Sequence, residues 1–94
     1  MTLEIHHDKD HTQFVAMVDG KKAMLQYIPL PDGKTLNYYH TFVPPELRER
    51  HIGKDLVKYA LDYARENHFK VIPQCPFVRA YIENHPEYND IIKS

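Results

Sequence analysis

The chain has 94 residues, 43% of them hydrophobic and 12% aromatic, which suits one domain with one core and excludes a disordered segment. Twelve basic against thirteen acidic residues give a net charge of −1, without the basic excess of a nonspecific nucleic-acid binder. The single cysteine, Cys75, excludes an intramolecular disulfide framework, and no run nears the roughly 18 apolar residues of a membrane span.

Met1 to His7 lacks the positive start and apolar stretch of a secretory signal, so the expected location is the cytoplasm. Leu3 and Ile5 alternate with polar neighbours in a short first strand. Phe14, Ala16 and Val18 alternate in a second, which Asp19-Gly20 turns into a third over Lys22–Leu30. Pro31-Asp32-Gly33-Lys34 is the next turn. The fourth strand spans Thr35–Val43, with Leu36, Tyr38, His40 and Phe42 expected on one face and Asn37, Tyr39, Thr41 and Val43 on the other. Pro44-Pro45 stops it, since neither residue can donate to a ladder.

A helix follows, with Ile52, Leu56, Val57, Ala60, Leu61 and Ala64 (and Tyr63 as a further candidate) as its apolar stripe, ending near Asn67-His68. Phe69 to Ile72 reads as a strand ended by Pro73. Cys75-Pro76 reads as the N-cap and first position of a last helix, with Phe77, Ala80 (or Tyr81) and Asn84 as its spacing and Pro86 as its stop. The order ββββαβα predicts an α+β domain over 1–94. Its mixed, mostly antiparallel five-stranded sheet carries two main helices, the first serving as the crossover that a parallel strand pair requires.

This order places the start of the first helix beyond the end of the fourth strand, where unpaired amides and the helix dipole favour an anion. The residues there are Arg48, Glu49, Arg50, His51, Ile52, Gly53 and Lys54: three permanent cations, and a glycine that permits close approach. A pyrophosphate suits such a corner better than a lone carboxylate. A solvated, charged loop ahead of an ordinary helix is the alternative reading.

The run His40-Thr41-Phe42-Val43-Pro44-Pro45-x-x-Arg48-x-x-x-Ile52-Gly53-x-x-Leu56-Val57 resembles the core of the GNAT superfamily of N-acetyltransferases. There a strand leads into an (Arg/Gln)-x-x-Gly-x-(Gly/Ala) loop that holds the coenzyme A pyrophosphate. Pro73-x-Cys75-Pro76-Phe77-Val78-x-x-Tyr81-Ile82-x-x-His85-Pro86-x-Tyr88 is similar to a short, single-domain GNAT-like subfamily. The two stretches lie between Thr35 and Tyr88 and cover about half the chain.

The resemblance implies a minimal GNAT-like fold that binds acetyl-CoA. Thr41, Phe42 and Val43 would lie along the pantetheine arm, Arg48 through Lys54 around the pyrophosphate, and Cys75 at the thioester end. Two positions depart from the pattern. The family usually has Gly where His51 stands, and short relatives often have Gly at position 49, here Glu. A left-handed backbone at residue 51 would cost a histidine about 1–2 kcal/mol, against which the imidazole offers phosphate a hydrogen bond.

Acetyl transfer to an amine needs a polarised carbonyl, a base and an exit for the thiolate. His40, one residue ahead of the cofactor strand, is the base candidate; otherwise it is a strand histidine bonded to a neighbour. Cys75 at a helix start is either a nucleophile with a lowered pKa or a small core residue. Tyr81 either protonates the leaving thiolate or packs. His6, His7 and His11 fit no metal-ligand spacing, and no metal is expected. The expected activity is N-acetyltransfer to an unknown amine, a small molecule or a protein lysine. The competing expectation is a non-catalytic acyl-CoA binder or sensor, self-acetylating at Cys75 in one version. No nucleic-acid or membrane partner is expected, and the chain is expected to be a monomer or weak homodimer.

Overall fold

A computed structural model describes residues 4–93, with only the backbone described for Glu49 and Arg50. Five strands form one sheet in the order β1-β2-β3-β4-β5: Ile5–Asp8, Gln13–Val18, Lys21–Pro29, Thr35–Phe42 and Lys70–Ile72. Helices α1 (Ile52–Glu66) and α2 (Pro76–Glu83) follow β4 and β5. The expected α+β order is therefore the observed one. Leu3 lies outside the described residues.

The first four strands pair antiparallel with their sequence neighbours. Asp19 and Gly20 both have positive φ (52° and 75°), the backbone a two-residue hairpin needs to match the twist of its strands. Phe14, Ala16 and Val18 of β2 and Ala23, Leu25 and Tyr27 of β3 face a core shared with Leu56, Val57, Ala60, Leu61 and Ala64 of α1. Val78, Tyr81 and Ile82 of α2 belong to the same core. The fully buried Tyr38 anchors α1 to the sheet, its hydroxyl donating to the Ala60 carbonyl at 2.6 Å. The opposite sheet face carries exposed Met17, Ile28, His40 and Phe42, along with buried Gln13 and Val15.

Two irregularities of β4 set up the site. Tyr27 pairs with Tyr38 and Gln26 with His40, so Tyr39 is an extra residue without a partner. Such a bulge reverses the alternation of side chains beyond it. Thr41 pairs with the buried Leu25 and turns to the helix side, as does Val43, while His40 and Phe42 turn to the opposite face. The expectation that Leu36, Tyr38, His40 and Phe42 share one face is thereby corrected.

The second irregularity is the shortness of β5. It runs parallel to β4 only through Thr35↔Lys70, Leu36↔Val71 and Asn37↔Ile72. Pro73 has no amide to extend the ladder, the Gln74 amide turns back to the Ile72 carbonyl at 3.0 Å, and the Cys75 amide takes the Tyr38 carbonyl at 3.0 Å. From there the chain leaves the sheet into α2. Beyond Tyr38, β4 has only β3 beside it in the sheet, and side chains meet its other edge: the Val43 carbonyl accepts from Arg48 Nε, and the Thr41 amide donates toward Cys75.

The last helix also differs from expectation. Val78, Tyr81 and Ile82 are its buried stripe, while Phe77, Ala80 and Asn84 are exposed. Three positions spaced i, i+3, i+4 make the apolar stripe of a short helix, and the core selects this set over the one starting at Phe77.

Candidate functional site

Between the free end of β4 and the start of α1 lies a cavity of about 330 Å³. One wall is Thr41, Phe42 and Val43; the other is Arg48, His51, Gly53 and Lys54, with Phe77 of α2 closing it. The sequence reading anticipated every lining residue except Phe77. Pro76 occupies the first position of α2 and Phe77 the next, so the ring projects from the first turn, off the buried stripe. The sequence spacing places Phe77 on the helix's apolar face, so nothing local signals this role.

The loop is a 3₁₀ turn over Pro45–Arg50, pinned by buried Leu47. His51 closes it in the left-handed conformation (φ 59°, ψ 19°) and is also the N-cap of α1, without a side-chain cap bond. The first helical hydrogen bond runs from the Asp55 amide to the His51 carbonyl at 3.0 Å. The amides of Ile52, Gly53 and Lys54 therefore precede any intrahelical acceptor and are available to an anion. Ile52 sends its side chain into the core, so only its amide can serve a ligand.

Gly53 is needed for packing. A Cβ there would lie 2.9 Å from Phe77 Cζ and 3.3 Å from Val43 Cγ2. Arg48 is exposed and donates from Nε to the Val43 carbonyl at 3.0 Å, binding loop to strand and leaving its outer N–H groups beside the cavity. Lys54 adds a second exposed cation. The Glu49 and Arg50 side chains, both expected at the site, lie outside the described residues.

Cys75 sits behind Thr41, buried, as the N-cap of α2. Its sulfur is 3.5 Å from Thr41 Oγ1. Burial alone would push the thiol up. The Thr41 hydroxyl and the amides of Val78 and Phe77 outweigh it, holding the thiol below its ordinary value although no capping bond closes.

One expected catalytic residue, His40, is not gathered with it. His40 is exposed on the sheet face away from the helices, opposite Thr41, loosely stacked on Tyr39 at 6.5 Å between centroids. The physical reason is the bulge at Tyr39. Tyr81 stacks on His85 at 4.0 Å, and burial raises its phenol, with Lys58, Asp62, Glu87 and Asp55 as its charged neighbours. Tyr81 also lines a space with Lys54 and Phe77, two residues that line the cavity beside β4. Among the described residues no three His, Cys, Asp or Glu side chains converge as a metal site.

The architecture is a mixed five-stranded sheet that parts beside β4, with a helix start facing the gap. Residues 13–91 match the family model described as GCN5-related N-acetyl-transferase, and the chain belongs to that family. Protein NATD1 of Danio rerio is 34% identical over 90 residues, covering 92% of this chain and 81% of that protein. NATD1 of Homo sapiens is 30% identical over 86 residues, covering 89% and 75%. The NMR solution structure of a GCN5-like protein from Staphylococcus aureus superimposes with a TM-score of 0.74 at 31% identity, covering 98% of this chain and 89% of that one. The fold is GNAT-like.

Proposed function

We propose that the protein binds acetyl-CoA in the cavity beside β4 and transfers the acetyl group to an amine, a small molecule or a protein lysine. The observation that carries this is the cavity itself. The end of a strand that β5 leaves unpaired faces the first three amides of a fifteen-residue helix, which precede any intrahelical acceptor, with Arg48 and Lys54 at the same corner. The pantetheine amides pair with the β4 edge as an added strand would. The diphosphate rests on the amides of Ile52, Gly53 and Lys54, with the cations of Arg48 and Lys54 beside it.

The thioester then points past Thr41 toward Cys75. Direct attack by the amine and a relay through the cysteine share this geometry, and one observation favours the relay: the thiol is held below its ordinary value where the acyl group arrives. In that reaction the thiolate attacks the thioester carbonyl, the coenzyme sulfur leaves and takes a proton, and the acceptor amine later displaces the cysteine sulfur.

Calorimetry with coenzyme A tests the binding reading. Arg48→Ala and Lys54→Ala should each weaken it by about 1–3 kcal/mol, the range for hydrogen bonds to charged groups; no heat from wild type at millimolar ligand refutes it. Intact-mass measurement after incubation with acetyl-CoA tests the relay, which requires one acetyl adduct that Cys75→Ala abolishes. Free thiol released steadily across an amine panel establishes turnover.

A further inference from the structure

The start of β4 borders a separate cleft, roughly 20 Å along the strand from the cavity that Thr41 to Val43 line. Its volume is about 250 Å³. Buried Tyr27 and Leu36 form the floor, and Tyr63 of α1 and Phe69 form a wall. The two wall rings lie nearly parallel, 19° apart with centroids at 6.1 Å. Lys9 stands exposed at the rim and is the one charged residue lining the cleft among the described residues.

Two polar groups around this cleft lack partners among the described residues. The Lys9 ammonium has no carboxylate within ion-pair reach. Its neighbour Asp8 accepts instead from His11 at 2.9 Å and from Gln13 at 3.1 Å. Behind the floor, His7 touches both tyrosines of the cleft. Its Nε2 is 2.5 Å from the Tyr27 hydroxyl, its ring meets Tyr63 edge-on at 4.4 Å, and its Nδ1 is buried and unpaired. Burial holds this imidazole neutral at neutral pH. Unpaired buried N–H groups are rarer than unpaired acceptors, so the ring proton belongs on Nε2, where it donates to the Tyr27 oxygen. That leaves the phenol's own proton for a ligand.

An ammonium and a phenol O–H supply one donor for each oxygen of a carboxylate. Tyr27, Tyr63 and Phe69 offer flat apolar contact to a further ring. The volume lies below the roughly 300–1,000 Å³ of sites for drug-sized molecules, which limits the ligand to a single ring on a short arm. A phosphate monoester would bring a second negative charge with no second cation lining the cleft to meet it.

We propose that this cleft binds a small aromatic monocarboxylate, with the ring against Tyr63 and Phe69 and the carboxylate accepting from Lys9 Nζ and the Tyr27 hydroxyl. No residue lines both this cleft and the cavity at the other end of β4, so the site does not rest on the acetyl-CoA reading.

The test is a titration of the full chain with phenylacetate at neutral pH, followed by amide NMR shifts. Half-saturation is expected on the order of 1 mM, the scale for one ring and one charge pair. Shifts should fall at Lys9, Thr12, Gly33 and Phe69, and not at Gly53 or Lys54. Phenethyl alcohol, which lacks the charge, and hexanoate, which lacks the ring, should each bind at least about fivefold more weakly. Lys9→Gln alters an exposed side chain, should leave the fold intact, and should weaken phenylacetate at least about threefold. Tyr27→Phe keeps the ring and should weaken it by a similar factor; Lys9→Gln serves alone if that variant does not fold. Absence of shifts up to about 20 mM ligand, equal binding of phenethyl alcohol, or unchanged affinity in Lys9→Gln overturns the proposal. Shifts centred on Gly53 and Lys54 overturn it too, because they put the carboxylate at the start of α1.

Discussion

Replacing His51 by glycine should make the protein more stable. The residue holds φ 59° and ψ 19° with an exposed side chain and no capping bond, so among the described residues no cap interaction offsets the clash of its Cβ with the following carbonyl. That clash costs about 1–2 kcal/mol. Glycine removes it but adds unfolded-chain freedom of about 0.4–1 kcal/mol. The net gain is about 0.5–1 kcal/mol, and for a domain of this size it should raise Tm by about 2–8 °C. Urea and thermal unfolding followed by circular dichroism measure it, with His51→Ala as control. Alanine keeps the Cβ and should leave stability within about 0.5 kcal/mol of wild type. A glycine variant no more stable than the alanine variant would refute the left-handed assignment. Coenzyme affinity should move the other way, by about 2–10-fold, if the imidazole contacts phosphate.

His68, at φ 62° just past the end of α1, carries the same burden away from the cavity, so His68→Gly should stabilise comparably and leave ligand affinity unchanged. Tyr38→Phe removes the buried hydroxyl that donates to the Ala60 carbonyl and should cost about 1–2 kcal/mol in urea unfolding. Burial holds the His7 imidazole below its ordinary value, with Nε2 2.5 Å from the Tyr27 hydroxyl. A depressed folded-state pKa gives stability that is present above the unfolded value of about 6.5 and lost as pH falls through the folded one. Between pH 7 and 5 stability should therefore decline, and His7→Phe should flatten that slope; an unchanged slope would assign it to other groups. The Cys75 thiol, held low, should alkylate with a midpoint below that of the urea-unfolded chain, and Thr41→Val should move the midpoint up. An unmoved midpoint would remove Thr41 from that role.

The bounds of most elements were legible in local chemistry. Asp19-Gly20, Pro44-Pro45, Pro73 and Cys75-Pro76 act through the backbone of adjacent residues, so a turn, a strand stop or a helix start follows without reference to distant chain. The period of α1 was equally plain, because a helix between a sheet and solvent must alternate its faces every three to four residues. The cavity corner was readable for the same reason. Arg48, His51, Gly53 and Lys54 lie within one loop and one helical turn, and Thr41 to Val43 end the strand just before them.

What the tertiary structure alone decided was which way side chains point across elements. The bulge at Tyr39 arises from pairing β4 against β3, and a single unpaired residue sends His40 to one face and Thr41 to the other. The α2 stripe falls on Val78, Tyr81 and Ile82 because the core had room on that side, leaving Phe77 free to divide two cavities. The residue types at the site are local facts of the chain. Their convergence depends on register and packing between strands and helices far apart in sequence, where a shift of one residue reverses every face.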